Sequence, residues 1–83
     1  MTAEMMRETI RDAASTLAYH WAEGPAGIKD RLGVERLIRA YPKGLQLPLC
    51  AWVLLYLERR GWYTQAAAFE SFLFDLATEE HAQ

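Results

Sequence analysis

Leu45-Gln-Leu-Pro-Leu-Cys50-Ala-Trp-Val-Leu-Leu-Tyr-Leu57-Glu-Arg-Arg60-Gly61 is the stretch on which the fold turns. From Leu49 to Leu57 a helix would be apolar on every face, which places it in the middle of a bundle. Pro48 suits the first turn of such a helix, where its missing N–H has no intrahelical acceptor to lose. Arg59 and Arg60 complement the negative helix end, and Gly61 reads as the left-handed residue just past it, so the spacing predicts a helix over about 48–60. Leu45 to Leu57 spans 13 residues and contains Gln46 and Pro48. A membrane-crossing helix needs about 20 apolar residues, so the expectation is a buried helix and no membrane partner.

Working outward, Met6, Ile10, Ala13, Ala14, Leu17 and Trp21 repeat on one side of a 3.6-residue period, predicting an amphipathic helix over about 3–22. Thr2 is its expected N-cap, and Gly24-Pro25 is its expected stop. Residues 28–41 carry Ile28, Leu32, Leu37, Ile38 and Tyr41 as the apolar set, with Gly33 either inside one helix or splitting two. After Gly61, Thr64 is the expected cap of a last helix over about 65–79, with Ala66, Phe69, Leu73 and Leu76 facing one way. Phe72 and Phe74 fall off that stripe. The product is an all-α single domain over residues 1–83, a bundle of four helices, or five if Gly33 breaks the second.

Composition narrows the function. The 83 residues are 52% hydrophobic, with 9 Lys and Arg against 11 Asp and Glu, a formal charge of −2. That is the wrong sign for unspecific capture of nucleic acid. Residues 1–43 hold 7 basic and 6 acidic groups, whereas residues 44–83 hold 2 and 5, so the C-terminal half is the acidic one. Three Trp, four Tyr and three Phe are more large aromatics than a small core easily hides, and those left outside would make an apolar patch.

Catalytic and metal chemistry find little to work with. Cys50 is the lone cysteine, so an intrachain disulfide and a Cys-rich zinc site are excluded, and a cytoplasmic setting is expected. It falls in the apolar helix, where a free cysteine acts as a small hydrophobe. His20 and His81 lie 61 positions apart with no metal-ligand spacing. Phosphate-cradling glycine motifs are missing as well. The expectation is a chain that is not an enzyme, with no cofactor, no metal and no evident small-molecule substrate.

Two resemblances bear on partners. Ile28-Lys-Asp-Arg-Leu32-Gly33-Val34-Glu-Arg-Leu-Ile-Arg39 resembles a helix-turn-helix, which implies a DNA-binding regulator contacting phosphates through Lys29, Arg31, Arg36, Arg39 and Lys43. Asp30 and Glu35 interleave with those cations, so a solvated mixed-charge face is preferred and DNA binding is the alternative. Within residues 47–77, Leu57-(x3)-Gly61-Trp62-(x3)-Ala66-(x2)-Phe69 resembles the helical hairpin of LisH dimerisation motifs, and Gly61-x-Tyr63-x-x-Ala66 is similar to a tetratricopeptide hairpin. The LisH likeness implies a homodimer with Trp62 and Phe69 near the contact. The resulting expectation is a protein-association module, an adaptor, chaperone or inhibitor, which self-associates or joins a complex. Its contacts are Trp62, Tyr63, Phe69, Phe72 and Phe74, with Trp21 and Tyr41 secondary, flanked by Glu70 and Asp75 in an acidic face that extends to Glu79 and Glu80.

Overall fold

In a computed structural model the chain forms four helices: α1 (Ala3–Glu23), α2 (Ile28–Ala40), α3 (Lys43–Arg59) and α4 (Tyr63–His81). The backbone is described for residues 3–23 and 28–81, and side chains for 7–23 and 31–79. The Thr2 cap and the Gly24-Pro25 stop lie outside the described residues.

α3 holds the bundle together, packing most extensively on α1, then on α4, and touching α2. It starts at Lys43, five residues before the expected Pro48, and the reason is local. Tyr41 N–H donates to the Ile38 carbonyl at 3.1 Å and ends α2, and Pro42 takes an extended conformation. Leu45 N–H then donates to the Pro42 carbonyl at 2.8 Å, opening α3. Gln46, a buried polar residue, turns its amide back onto the Arg39 and Tyr41 carbonyls at 3.1 and 2.9 Å. It thereby satisfies acceptors at the end of α2 that would otherwise go unpaired. Pro48 therefore lies inside the helix, and Gly44, whose carbonyl loses its helical donor to that proline, is exposed to water.

The far end of α3 closes as its sequence predicts. Gly61 adopts φ +78°, its N–H donates to Glu58 and that of Trp62 donates to Leu57, each at 3.0 Å. This is a Schellman closure, and Trp62 packs against the core. Trp62 also accepts from Ala66 N–H at 2.8 Å, so α4 begins at Tyr63 and Thr64 sits inside it instead of capping it.

The core gathers Ile10, Ala14, Leu17, Ala18 and Trp21 from α1, Val34 and Ile38 from α2, Leu49, Cys50, Val53 and Leu57 from α3, and Ala66, Phe69, Phe72 and Leu76 from α4. Long side chains join the helices whose backbones approach one another least. Trp21 spans from α1 to α4, donating to the Gln65 carbonyl at 2.9 Å and meeting Phe69 edge to face at 5.0 Å. Arg39 spans from α2 to α4, pairing with both carboxylate oxygens of Glu79 at 2.7 and 3.1 Å.

One open alternative is resolved by this packing and two expectations are corrected. α2 runs unbroken through Gly33, so the bundle has four helices and not five among the described residues. It buries Val34 and Ile38 while Leu32 and Leu37 stay outside, because the stripe facing α1 and α3 is 34/38/41. Phe72 is core and not surface, since α4 presents 69, 72 and 76 inward. Its ring meets Phe69 at 5.8 Å and lies under the Arg39 guanidinium at 5.4 Å.

Candidate association face

With Phe69 fully buried and Phe72 only 4% exposed, neither can anchor a partner. Trp21, a secondary choice, is likewise core, and Tyr41 is half-buried against it. Trp62 is half-buried in the α3–α4 corner, with the Arg60 guanidinium 5.4 Å from its ring. Tyr63 and Phe74 stand apart, 70% and 71% exposed, the two most exposed large hydrophobic side chains among the described residues.

These two belong to one stripe. Tyr63, Ala67, Glu70, Phe74 and Ala77 follow at offsets 0, 4, 7, 11 and 14, one side of a helix over about 21 Å. On α3 the offsets 0, 4, 7 and 11 carry Leu47, Ala51, Leu54 and Glu58. The three-residue connection makes α3 and α4 antiparallel neighbours, and the stripes meet where Leu47, Leu73, Phe74 and Ala77 line an open hollow of about 350 Å³. Only apolar side chains line it. Sequence reasoning picked out Tyr63 and Phe74 but passed over the α3 side of this face. The signal was the absence of any charge from Gly44 to Leu57, which leaves the outer side of α3 as apolar as its inner side.

Charge is distributed differently from the expected acidic face. Glu70 and Asp75 are both exposed, but five positions apart they lie about 140° from one another around α4. Asp75 acts on Arg39, on the α2 side. Glu79 is engaged by Arg39, whose hydrogen bond holds its carboxyl below the ordinary range, and the same bond raises Arg39. Glu80 lies outside the described side chains. The carboxylates on the two stripes are therefore Glu58 and Glu70, and neither forms an ion pair among the described residues.

The alternative, nucleic-acid surface is dispersed. A helix-turn-helix needs a turn at Gly33, where α2 is continuous. Arg39 is bound to Glu79, and Arg31 stacks on Trp21 at 5.3 Å with its Nε buried and unpartnered among the described residues. Arg36 and Lys43 are exposed, and the Lys29 side chain lies outside the described residues.

A second hollow of about 390 Å³ is lined by Glu8, Arg11, Asp12 and Tyr56. Its carboxylates are exposed helix-surface groups, and Arg11 lies over the half-buried Trp52 ring at 4.9 Å. Cys50 is fully buried and His20 exposed. Among the described residues no three His, Cys, Asp or Glu side chains gather as metal ligands would, and no helix is long and apolar enough to cross a membrane.

No protein-family model, curated protein or solved structure matches this chain.

Proposed function

We propose that the chain is a non-catalytic protein-association module whose docking surface is the outer face of the α3–α4 hairpin. The observation that carries this reading is the exposure of Phe74 and Tyr63 on a single helical stripe beside the apolar hollow. The other exposed large apolar residues do not form such a surface: Leu32 and Leu37 are five apart on α2, on different sides, and Tyr19 is on α1. An aromatic anchor next to an apolar hollow, rimmed by polar groups, is the anatomy of a protein contact. Roles as adaptor, chaperone or inhibitor share that requirement. The reading carries a cytoplasmic setting with it, in which the shielded thiol of Cys50 stays reduced.

The test is a titration of the full chain with a synthetic amphipathic helix bearing uncharged polar flanks, followed by methyl NMR. The expected result is that Leu47, Leu73 and Ala77 shift together and that Phe74→Glu abolishes the response. Shifts scattered over the molecule, or unchanged in Phe74→Glu, would contradict the reading.

A further inference from the structure

Resting on that reading, we infer that the occupant of the α3–α4 face is a basic amphipathic helix of another protein. Docked there, it places an apolar residue in the hollow beside Phe74 and a Lys or Arg opposite Glu70 and Glu58.

From Leu47 to Glu58 and from Tyr63 to Ala77 the two stripes that frame the hollow contain two carboxylates, Glu58 and Glu70, and the cation on the same side one turn before Leu47, Lys43, acts on Glu79. Both carboxylates are exposed and without an ion-pair partner among the described residues. From Gly61 to Gln83 there are four acidic residues and no Lys or Arg. Glu79 already has its cation in Arg39, and Asp75 lies on that same side, so among the described side chains the acids left facing outward beside the apolar stripe are Glu70 and, across the corner, Glu58.

A second copy of the chain is the competing occupant, and the same charges disfavour it. A two-fold contact uses one patch against itself. Stripe against stripe would gather four carboxylates, Glu58 and Glu70 of each copy, around one apolar patch, while the cation each copy adds on that side, Lys43 at the first position of α3, already acts on Glu79; like-charge repulsion penalises such an arrangement. A partner helix with Lys or Arg about one turn from an apolar anchor reverses the sign of that interaction. One turn is the spacing from Phe74 to Glu70 on α4. The stripe from Tyr63 to Ala77 runs about 21 Å, so a partner of about four helical turns would cover it.

The experiment uses two synthetic helices of about 20 residues with one shared Leu/Ala stripe, flanked by Lys in one and by Glu in the other. Binding to the full chain is read by fluorescence anisotropy. The Lys-flanked peptide is expected to bind about tenfold or more tightly than the Glu-flanked one, a preference that shrinks as salt is raised. The double variant Glu58→Gln/Glu70→Gln, checked for unchanged helicity, is expected to lose the preference while still binding the uncharged-flank peptide.

Equal affinity for both charged peptides, with both lost in Phe74→Glu, would overturn the basic partner and leave the association face standing. So would a dimer that dissociates on dilution and is abolished by Phe74→Glu, since the occupant would then be a second copy. Binding of every peptide unaffected by Phe74→Glu would take down both the partner and the face.

Discussion

Two phenylalanines two positions apart on α4 have opposite fates, and the difference is one of phase. Phe72 closes the core between Phe69 and Arg39, whereas Phe74 points into solvent next to the hollow. Truncating Phe72 to Ala should therefore cost about 3–5 kcal/mol in urea unfolding, and truncating Phe74 to Ala should stay within about 0.5 kcal/mol. The Arg39–Glu79 pair predicts a pH effect of definite sign. Arg39 depresses the Glu79 carboxyl below the ordinary value of 4.5, so its contribution is present above that value and is lost as pH falls through the depressed one. Thermal melts of Glu79→Gln should show a flatter loss of stability on acidification than wild type. The effect is small, because both side chains are about half exposed and salt screens them.

At the scale of the element, glycine separates continuation from termination. Gly33 lies inside α2 with open space where a Cβ would go, so Gly33→Ala should stabilise the protein by about 0.5–1 kcal/mol in chemical unfolding. Gly61 also has open space, but its φ of +78° penalises any side chain, and Gly61→Ala should destabilise by about 1 kcal/mol. A destabilised Gly33→Ala would mean that the helix breaks there after all.

The same contrast marks what could be read from sequence. The existence of all four helices and the Gly61 closure follow from periodicity and cap chemistry, which act over a few residues. The start of α3 does not, because it depends on Gln46 reaching back to the carbonyls of Arg39 and Tyr41. The inward turn of Phe72 was also hidden, since the Ala66/Phe69/Leu73/Leu76 stripe and the observed 69/72/76 stripe differ by less than one residue of rotation. Only the position of α3 and the reach of Arg39 choose between them.

For the whole molecule, the consequence of placing so apolar a helix as α3 against three others is that one side of it still faces outward. The expectation that a helix hydrophobic all round would be wholly enclosed holds for Leu49, Val53 and Leu57, which are fully buried, but Pro48 and Ala51 are exposed and Leu47 is half-covered. Three neighbouring helices are too few to cover every side of α3, and the uncovered side continues onto α4 through Phe74 and Ala77. The partner face is thus a product of the architecture as well as of individual residues, which is why it was only half legible in the sequence.

The most direct measurement takes a single variant, Phe74→Glu, and reads both its unfolding and its binding of a Lys-flanked amphipathic peptide against wild type in the same buffer. The account predicts an unchanged unfolding midpoint together with lost binding. A variant that unfolds more easily, or one that binds the peptide as wild type does, would contradict the assignment of this face to association.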